Sequence, residues 1–165
     1  MKPVVTRLTS TIVLSAVLSV LVVIDASATD IGKLTETCTN CHGKDGASTE
    51  SDVPIIGGFS EQYLLDSMET YKNKERPCAE KEYREGKNKG SKTDMCKVVN
   101  ELNDQDTQAI AKFYASKKFT PAKQKFDAEK AKLGKKVQKK CMKCHTDGGS
   151  EPEDDAGILA GQWSP

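Results

Sequence analysis

Cys38-Thr39-Asn40-Cys41-His42 and Cys141-Met142-Lys143-Cys144-His145 are the two stretches on which the fold turns. Both read C-x-x-C-H. Together they use four of the six cysteines and both histidines of the 165-residue chain. Two thiols three residues apart on a helical turn reach the two vinyl groups of one porphyrin. The imidazole that follows then meets the iron, so the spacing reads as covalent attachment of c-type haem. Three other chemistries compete. A thioredoxin-like C-x-x-C should follow a strand in a βαβ setting, and neither motif does. A zinc site built from both pairs would join cysteines 103 residues apart, long for one small site. Disulfides within each pair would leave the histidine after each without a reason.

Working outward, the motifs belong to an internal repeat. At an offset of 103, Cys38, Cys41 and His42 fall on Cys141, Cys144 and His145. Gly46 falls on Gly149, Asp52 on Asp155, Gly58 on Gly161, and Ile55-Ile56 on Ile158-Leu159, all without a gap. Such register implies two copies of one domain. Pro165 falls on Gln62, so the second copy is expected to be incomplete in this sequence.

Upstream of the first motif lies an export signal. Lys2 and Arg7 form a positive region, Ile12 to Ile24 is an apolar run broken by Ser15 and Ser19, and Ala26-Ser27-Ala28 offers small residues for cleavage. The run would reach roughly 20 Å as a helix, short of a hydrocarbon core about 30 Å thick. Cleavage after Ala28 leaves 23 basic and 23 acidic residues. A neutral mature chain gives no whole-chain footprint for nucleic acid. It is expected in the periplasm, where disulfides persist.

The rest reads as helices and loops. Asp30 caps a helix carrying Ile31 and Leu34 into the first motif. Gly43 to Gly58 is loop. Ser60 caps a helix with Tyr63, Leu64, Met68 and Tyr71 at helical spacing. Asn73 to Lys97 is polar and reads as loop. Asn103 caps a helix whose apolar stripe is Ala109, Ile110, Phe113 and Tyr114, with Asp106 placed to reach back. Phe119 to Pro121 closes the first domain, and a Lys-rich helix from about Pro121 leads into the second motif. No convincing strand is present. The expected fold class is all-α, divided as 1–28 signal peptide, 29–119 first domain and 120–165 the N-terminal part of a second.

Helix, C-x-x-C-H, long loop, helix, Met-bearing loop and C-terminal helix together resemble a class I cytochrome c. The doubled form resembles the dihaem cytochrome c-four family, and the cytochrome subunit of flavocytochrome c sulfide dehydrogenase is a similar relative. The matching residues are Cys41-His42-Gly43-Lys44-Asp45-Gly46, Pro54-Ile55-Ile56-Gly57-Gly58, Met95, Leu102-Asn103-Asp104-Gln105-Asp106, Phe113-Tyr114-Ala115 and Ile158-Leu159-Ala160-Gly161-Gln162. The departures are the early end and the extra pair Cys78 and Cys96.

The resemblance implies tandem class I domains with haem c bound through Cys38, Cys41, Cys141 and Cys144. His42 and His145 are then the proximal iron ligands. Met95, in a loop ahead of the last helix as the family's distal methionine is, becomes the distal ligand of the first haem. Met68 is the competing methionine, but it sits on an apolar helix stripe, where Met usually fills core. The position equivalent to Met95 in the second copy would be 198, beyond Pro165. Cys78 and Cys96 remain unassigned in an oxidising compartment and are expected to pair; a free thiol pair or a metal site is the alternative. Twelve lysines from Lys112 to Lys143, against Asp127 and Glu129, form either a solvated face or a steering surface for an acidic partner. Glu151, Glu153, Asp154 and Asp155 read as a solvated loop, with calcium binding the sharper alternative.

The function expected is an exported electron carrier without catalysis of its own, since His and Met on both axial positions favour electron transfer over substrate chemistry. Its partners would be periplasmic or membrane-bound redox proteins, with the membrane met only by docking. The narrower alternative is the electron-accepting subunit of a flavin-dependent sulfide dehydrogenase. A haem peroxidase-type enzyme needs a distal acid–base group, and the sequence holds no third histidine.

Overall fold

The computed structural model describes residues 30–154 and 156–163. The export signal and Asp155 lie outside them. Among the described residues six α-helices dominate: α1 Ile31–Leu34, α2 Glu36–His42, α3 Glu61–Lys72, α4 Met95–Asn100, α5 Asp104–Ala115 and α6 Ala128–Val137. No helix among them is long and apolar enough to cross a membrane.

The caps explain where most of these helices begin. The Asp30 carboxylate accepts from the amides of Gly32 and Lys33 at the start of α1. The Ser60 hydroxyl accepts from the Tyr63 amide at α3, and Asn103 Oδ1 accepts from the Asp106 amide at α5. Each side chain satisfies a donor that the first turn leaves unpaired. Asp106 reaches back to the Asn103 side-chain amide at 2.8 Å. Thr35 breaks α1 from α2; its buried hydroxyl bonds back to the Ile31 carbonyl at 2.7 Å, competing with helix continuation.

Helix α3 packs against α4 and α5, and α1 packs on α5. The core is Phe59, Leu64, Ile110, Ala111, Tyr114 and Ile158. Five of these belong to the first repeat, and Ile158 comes from the second. Burying an isoleucine of this size contributes about 1.5–3 kcal/mol, so the second repeat's loop is part of the first repeat's core.

Three expectations are corrected. First, the polar stretch before α4 contains a hairpin, β1 Lys81–Glu82 paired antiparallel with β2 Lys92–Thr93. Two-residue strands are too short to show alternation, so the pattern could not reveal them. Second, Met95 is the first residue of α4, not a loop residue, because Asp94 accepts from the Lys97 amide at 2.9 Å and caps a helix there. Third, α6 starts at Ala128, not near Pro121, because its cap is Asp127, which accepts from the amides of Glu129 and Lys130.

Candidate functional site

Helix α2 carries Cys38, Cys41 and His42 to the wall of an apolar cavity of about 850 Å³. His42 is buried, and its Nδ1 lies 2.9 Å from the Pro54 carbonyl oxygen. A carbonyl only accepts, so Nδ1 carries the proton and Nε2 keeps a lone pair for a metal. Burial holds the His42 pKa below its ordinary value, against the opposing pull of that carbonyl. Burial also pushes the Cys38 thiol up to about 11. The half-buried Cys41 is raised as well, chiefly by desolvation, with the Arg84 backbone and charge opposing.

The loop between α2 and α3 shapes the wall behind His42. The Gly46 carbonyl accepts from the amides of Ile56 and Gly57. Gly46 has φ +74°, and a Cβ there would lie 2.6 Å from the Gly57 nitrogen and 2.9 Å from the Tyr114 ring. Only glycine fits this approach.

The second motif repeats this local geometry residue for residue. His145 Nδ1 lies 3.1 Å from the Gly157 carbonyl oxygen. The Gly149 carbonyl accepts from the amides of Leu159 and Ala160 at 2.9 Å each, and Gly149 has φ +83°. Gly157, Gly149, Leu159 and Ala160 stand 103 positions after Pro54, Gly46, Ile56 and Gly57. The surroundings differ. Cys141 and Cys144 are exposed, and the recess beside Cys141, Met142 and His145 is about 290 Å³.

The methionines do not separate by position alone, since Met95 and Met68 both line the large cavity. Cys78 and Cys96 are joined in a disulfide, with Cα atoms 5.7 Å apart. The segment it closes supplies Lys81, Tyr83, Thr93 and Met95 to the cavity wall. That segment is fastened to α2: the Asn40 carbonyl accepts from the amides of Arg84 and Glu85 at 2.9 and 3.1 Å. Asp52 adds ion pairs to Lys81 and Arg84, both 2.8 Å.

Sequence reasoning missed the contribution of the second repeat to this cavity. Gln162 exchanges two hydrogen bonds with the Ile55 backbone, donating to its carbonyl at 2.7 Å and accepting from its amide at 3.1 Å. Trp163 Nε1 donates to the Ser48 carbonyl at 3.1 Å, while the Ser60 hydroxyl donates to the Glu153 carbonyl at 2.9 Å. Gln162 stands in the signature loop, but nothing in its neighbours shows that its partner is 107 residues away. Arg76, a cation on the cavity wall, was missed too; it follows α3 in a polar run and carries no motif.

The donor set suits one prosthetic group. Two thiols, an imidazole with Nε2 free and thioether sulfurs all line one apolar space. The Ser67 hydroxyl, also on that wall, is buried without a hydrogen-bond partner among the described residues. The volume lies within the range of about 300–1,000 Å³ usual for cofactor sites. A porphyrin anchored at Cys38 and Cys41 fits it. At the second motif Cys141, Cys144 and His145 repeat the thiol pair and imidazole, but the walls enclose less.

Comparison with known proteins agrees. The sequence profile of cytochrome c matches residues 31–118. Cytochrome c4 from Stutzerimonas stutzeri is 33% identical over 121 residues, covering 68% of this chain and 54% of that one. Cytochrome c4 from Pseudomonas aeruginosa is 32% identical over 83 residues, covering 50% of this chain and 34% of that one. This chain thus spans between about a third and about a half of the length of those relatives. The crystal structure of reduced recombinant cytochrome c4 from Pseudomonas stutzeri superposes with a TM-score of 0.62 at 29% identity, over 81% of this chain and 71% of that one. With the profile covering the helices that build the cavity and the C-x-x-C-H that faces it, this chain belongs to the cytochrome c family, whose haem c is attached covalently through that motif.

Proposed function

We propose that the protein is an exported dihaem c-type cytochrome that passes single electrons between periplasmic redox proteins. The observation that carries this reading is the duplicated histidine geometry, His42 on the Pro54 carbonyl and His145 on the Gly157 carbonyl, each directly after a thiol pair. A protein with one haem site has no need to keep the second copy of that geometry. Domain limits of 29–119 and 120–165 follow from the same repeat.

Cys38 and Cys41 would hold one haem and Cys141 and Cys144 the other, with His42 and His145 as axial ligands and Met95 as the second axial ligand of the first. When bound, haem supplies a one-electron iron couple. The chain's own residues do the rest. Each backbone carbonyl fixes the tautomer and orientation of its imidazole. The core around Tyr114 and Ile158 keeps water from the first site, and the disulfide-closed segment restrains Met95. Helix α6 and its flanks present lysines to a partner, which suits a negatively charged docking surface.

The test is attachment. Acid–acetone extraction of the purified protein should leave haem on the chain, and pyridine haemochrome should give about two per chain. Cys38→Ala/Cys41→Ala and Cys141→Ala/Cys144→Ala should each remove one. Extractable haem, or bound zinc in its place, overturns the reading. Retention of a flavoprotein during purification would narrow it to the subunit of a sulfide dehydrogenase.

A further inference from the structure

Cys78 and Cys96 are the cysteine pair that haem attachment leaves over, and the two sit in different surroundings. Cys78 lies at the surface, in the polar stretch that follows α3. Cys96 is buried, 5% exposed, in the first turn of α4, which packs on α3. Thiol–disulfide exchange begins with a thiolate attacking a sulfur that it can reach. One end of this bridge meets that need from solvent without any unfolding, and the other end does not.

What the bridge restrains is specific. Met95 is the chain neighbour of Cys96 and stands half-buried on the wall of the large cavity. The rest of the closed segment has fastenings of its own. Strand β1 pairs with β2, the Asn40 carbonyl takes the amides of Arg84 and Glu85, and Asp52 holds Lys81 and Arg84. The Asp94 cap starts α4 without help from the bridge, and Val99 is buried further along that helix. Opening the bridge therefore leaves hairpin and helix in place. It removes the covalent tie between the chain leaving α3 and the start of α4, where Met95 is carried.

We infer that Cys78–Cys96 is a thiol-exchange site for a dithiol reductant, and that its state sets whether Met95 holds the first haem iron. The inference rests on the reading of Met95 as distal ligand and adds a control to it. A thiolate of the reductant attacks Cys78 Sγ. A new S–S bond joins the two, the Cys78–Cys96 bond breaks, and Cys96 leaves with the electron pair and takes a proton from water. The reductant's second thiolate then attacks its own sulfur in the mixed disulfide and releases Cys78, which is protonated in turn. The chain gains two electrons and two protons, and the dithiol becomes a disulfide. With the bridge closed, Met95 is held toward the cavity; with it open, an added ligand competes for that axial position. One covalent bond thus biases a two-state element, as in other redox switches.

The experiment compares two reductants on the full haem-loaded chain. Ascorbate reduces the iron and leaves disulfides closed, whereas dithiothreitol opens them too. Under carbon monoxide the dithiothreitol form should take up more gas than the ascorbate form. Replacing dithiothreitol with oxidised glutathione should reverse the gain. The gain should be missing from Met95→Ala, whose first haem is open under either reductant. Equal uptake in the parent, with two thiols titrated to show the bridge open, overturns the inference, and so does a bridge that dithiothreitol leaves closed in the folded protein. A gain of equal size in Met95→Ala also overturns it. Should Met95→Ala fail to accumulate, the reversal in the parent carries the test, and a gain that persists after reoxidation overturns the switch. Exchange is read separately from ligation. Cys96→Ser, which leaves Cys78 alone, should form a mixed disulfide with oxidised glutathione several-fold faster than Cys78→Ser, and equal rates overturn Cys78 as the attacked sulfur. A ferric parent without the methionine charge-transfer band would instead defeat the underlying ligand reading.

Discussion

His42 and His145 stand in the same relation to a carbonyl twelve residues downstream, 2.9 Å to Pro54 and 3.1 Å to Gly157. The partners are a proline and a glycine, so no side chain is shared between the two arrangements. The backbone alone conserves the contact. Each carbonyl is aimed by the loop that Gly46 or Gly149 folds, with its carbonyl taking two amides from the segment just beyond. A motif of five residues therefore depends on a loop of a dozen more to become a pair of oriented metal ligands.

Met95 should be the distal ligand at the first haem, and the two methionines of the cavity wall make this a direct comparison. Met95→Ala should abolish the red-edge charge-transfer band of the ferric protein that marks methionine ligation and open the ferrous iron to carbon monoxide. Met68→Ala should keep the band, since a thioether on the α3 stripe chiefly fills space. If Met68→Ala removes the band and Met95→Ala keeps it, the ligand is Met68.

Removing the Cys78–Cys96 bridge should destabilise the protein. Chain-entropy arguments give about 3 kcal/mol for a loop of this size. The double variant Cys78→Ala/Cys96→Ala should therefore unfold at lower denaturant, with a first haem that exchanges its methionine for added ligand more readily than the parent. Denaturation followed by absorbance of the haem reads both effects. Equal midpoints would show that the hairpin contacts to Asn40 hold the segment without the bridge.

Asp52 should make the hairpin's docking sensitive to acid. Hydrogen bonding to Lys81, and then the Arg84 charge, holds its carboxyl below the ordinary value of 3.8. A carboxylate whose folded pKa is depressed contributes stability above its unfolded value and loses it as the pH falls through the folded one. Asp52→Asn should cost about 1 kcal/mol or less at neutral pH, the scale of half-exposed ion pairs. The gap from the parent should close below pH 3.8, and high salt should narrow it at every pH. A gap independent of pH would assign the effect to packing.

Gln162 should matter more to the first repeat than to its own. Its amide both donates to and accepts from Ile55, and replacing it with alanine leaves two partly buried backbone groups unpaired. The expected loss is about 1–3 kcal/mol, read as a lower urea midpoint for the first haem's spectral transition. Gln162→Glu cannot donate to the Ile55 carbonyl and should be nearly as damaging. A midpoint shift confined to the second haem would contradict the cross-repeat role.

Two C-x-x-C-H motifs, their 103-residue register and the caps at Asp30, Ser60 and Asn103 were all legible in the chain, because each is a local rule. Thiol spacing decides what a porphyrin can bond, and a cap needs only its own first turn. The helical class and most of the first repeat's buried stripe followed from the same short-range periodicity. The hairpin at Lys81–Glu82 and Lys92–Thr93, the place of Arg76 on the cavity wall and the grip of Gln162 on Ile55 came only from tertiary structure. Gln162 grips a partner 107 residues away, and two-residue strands or a lone polar side chain leave no period to read. The cavity itself is of that kind: its wall joins α2, α3, a disulfide-closed insert and a loop of the second repeat. No single segment encodes it, because enclosing an apolar space requires surfaces from several elements to meet.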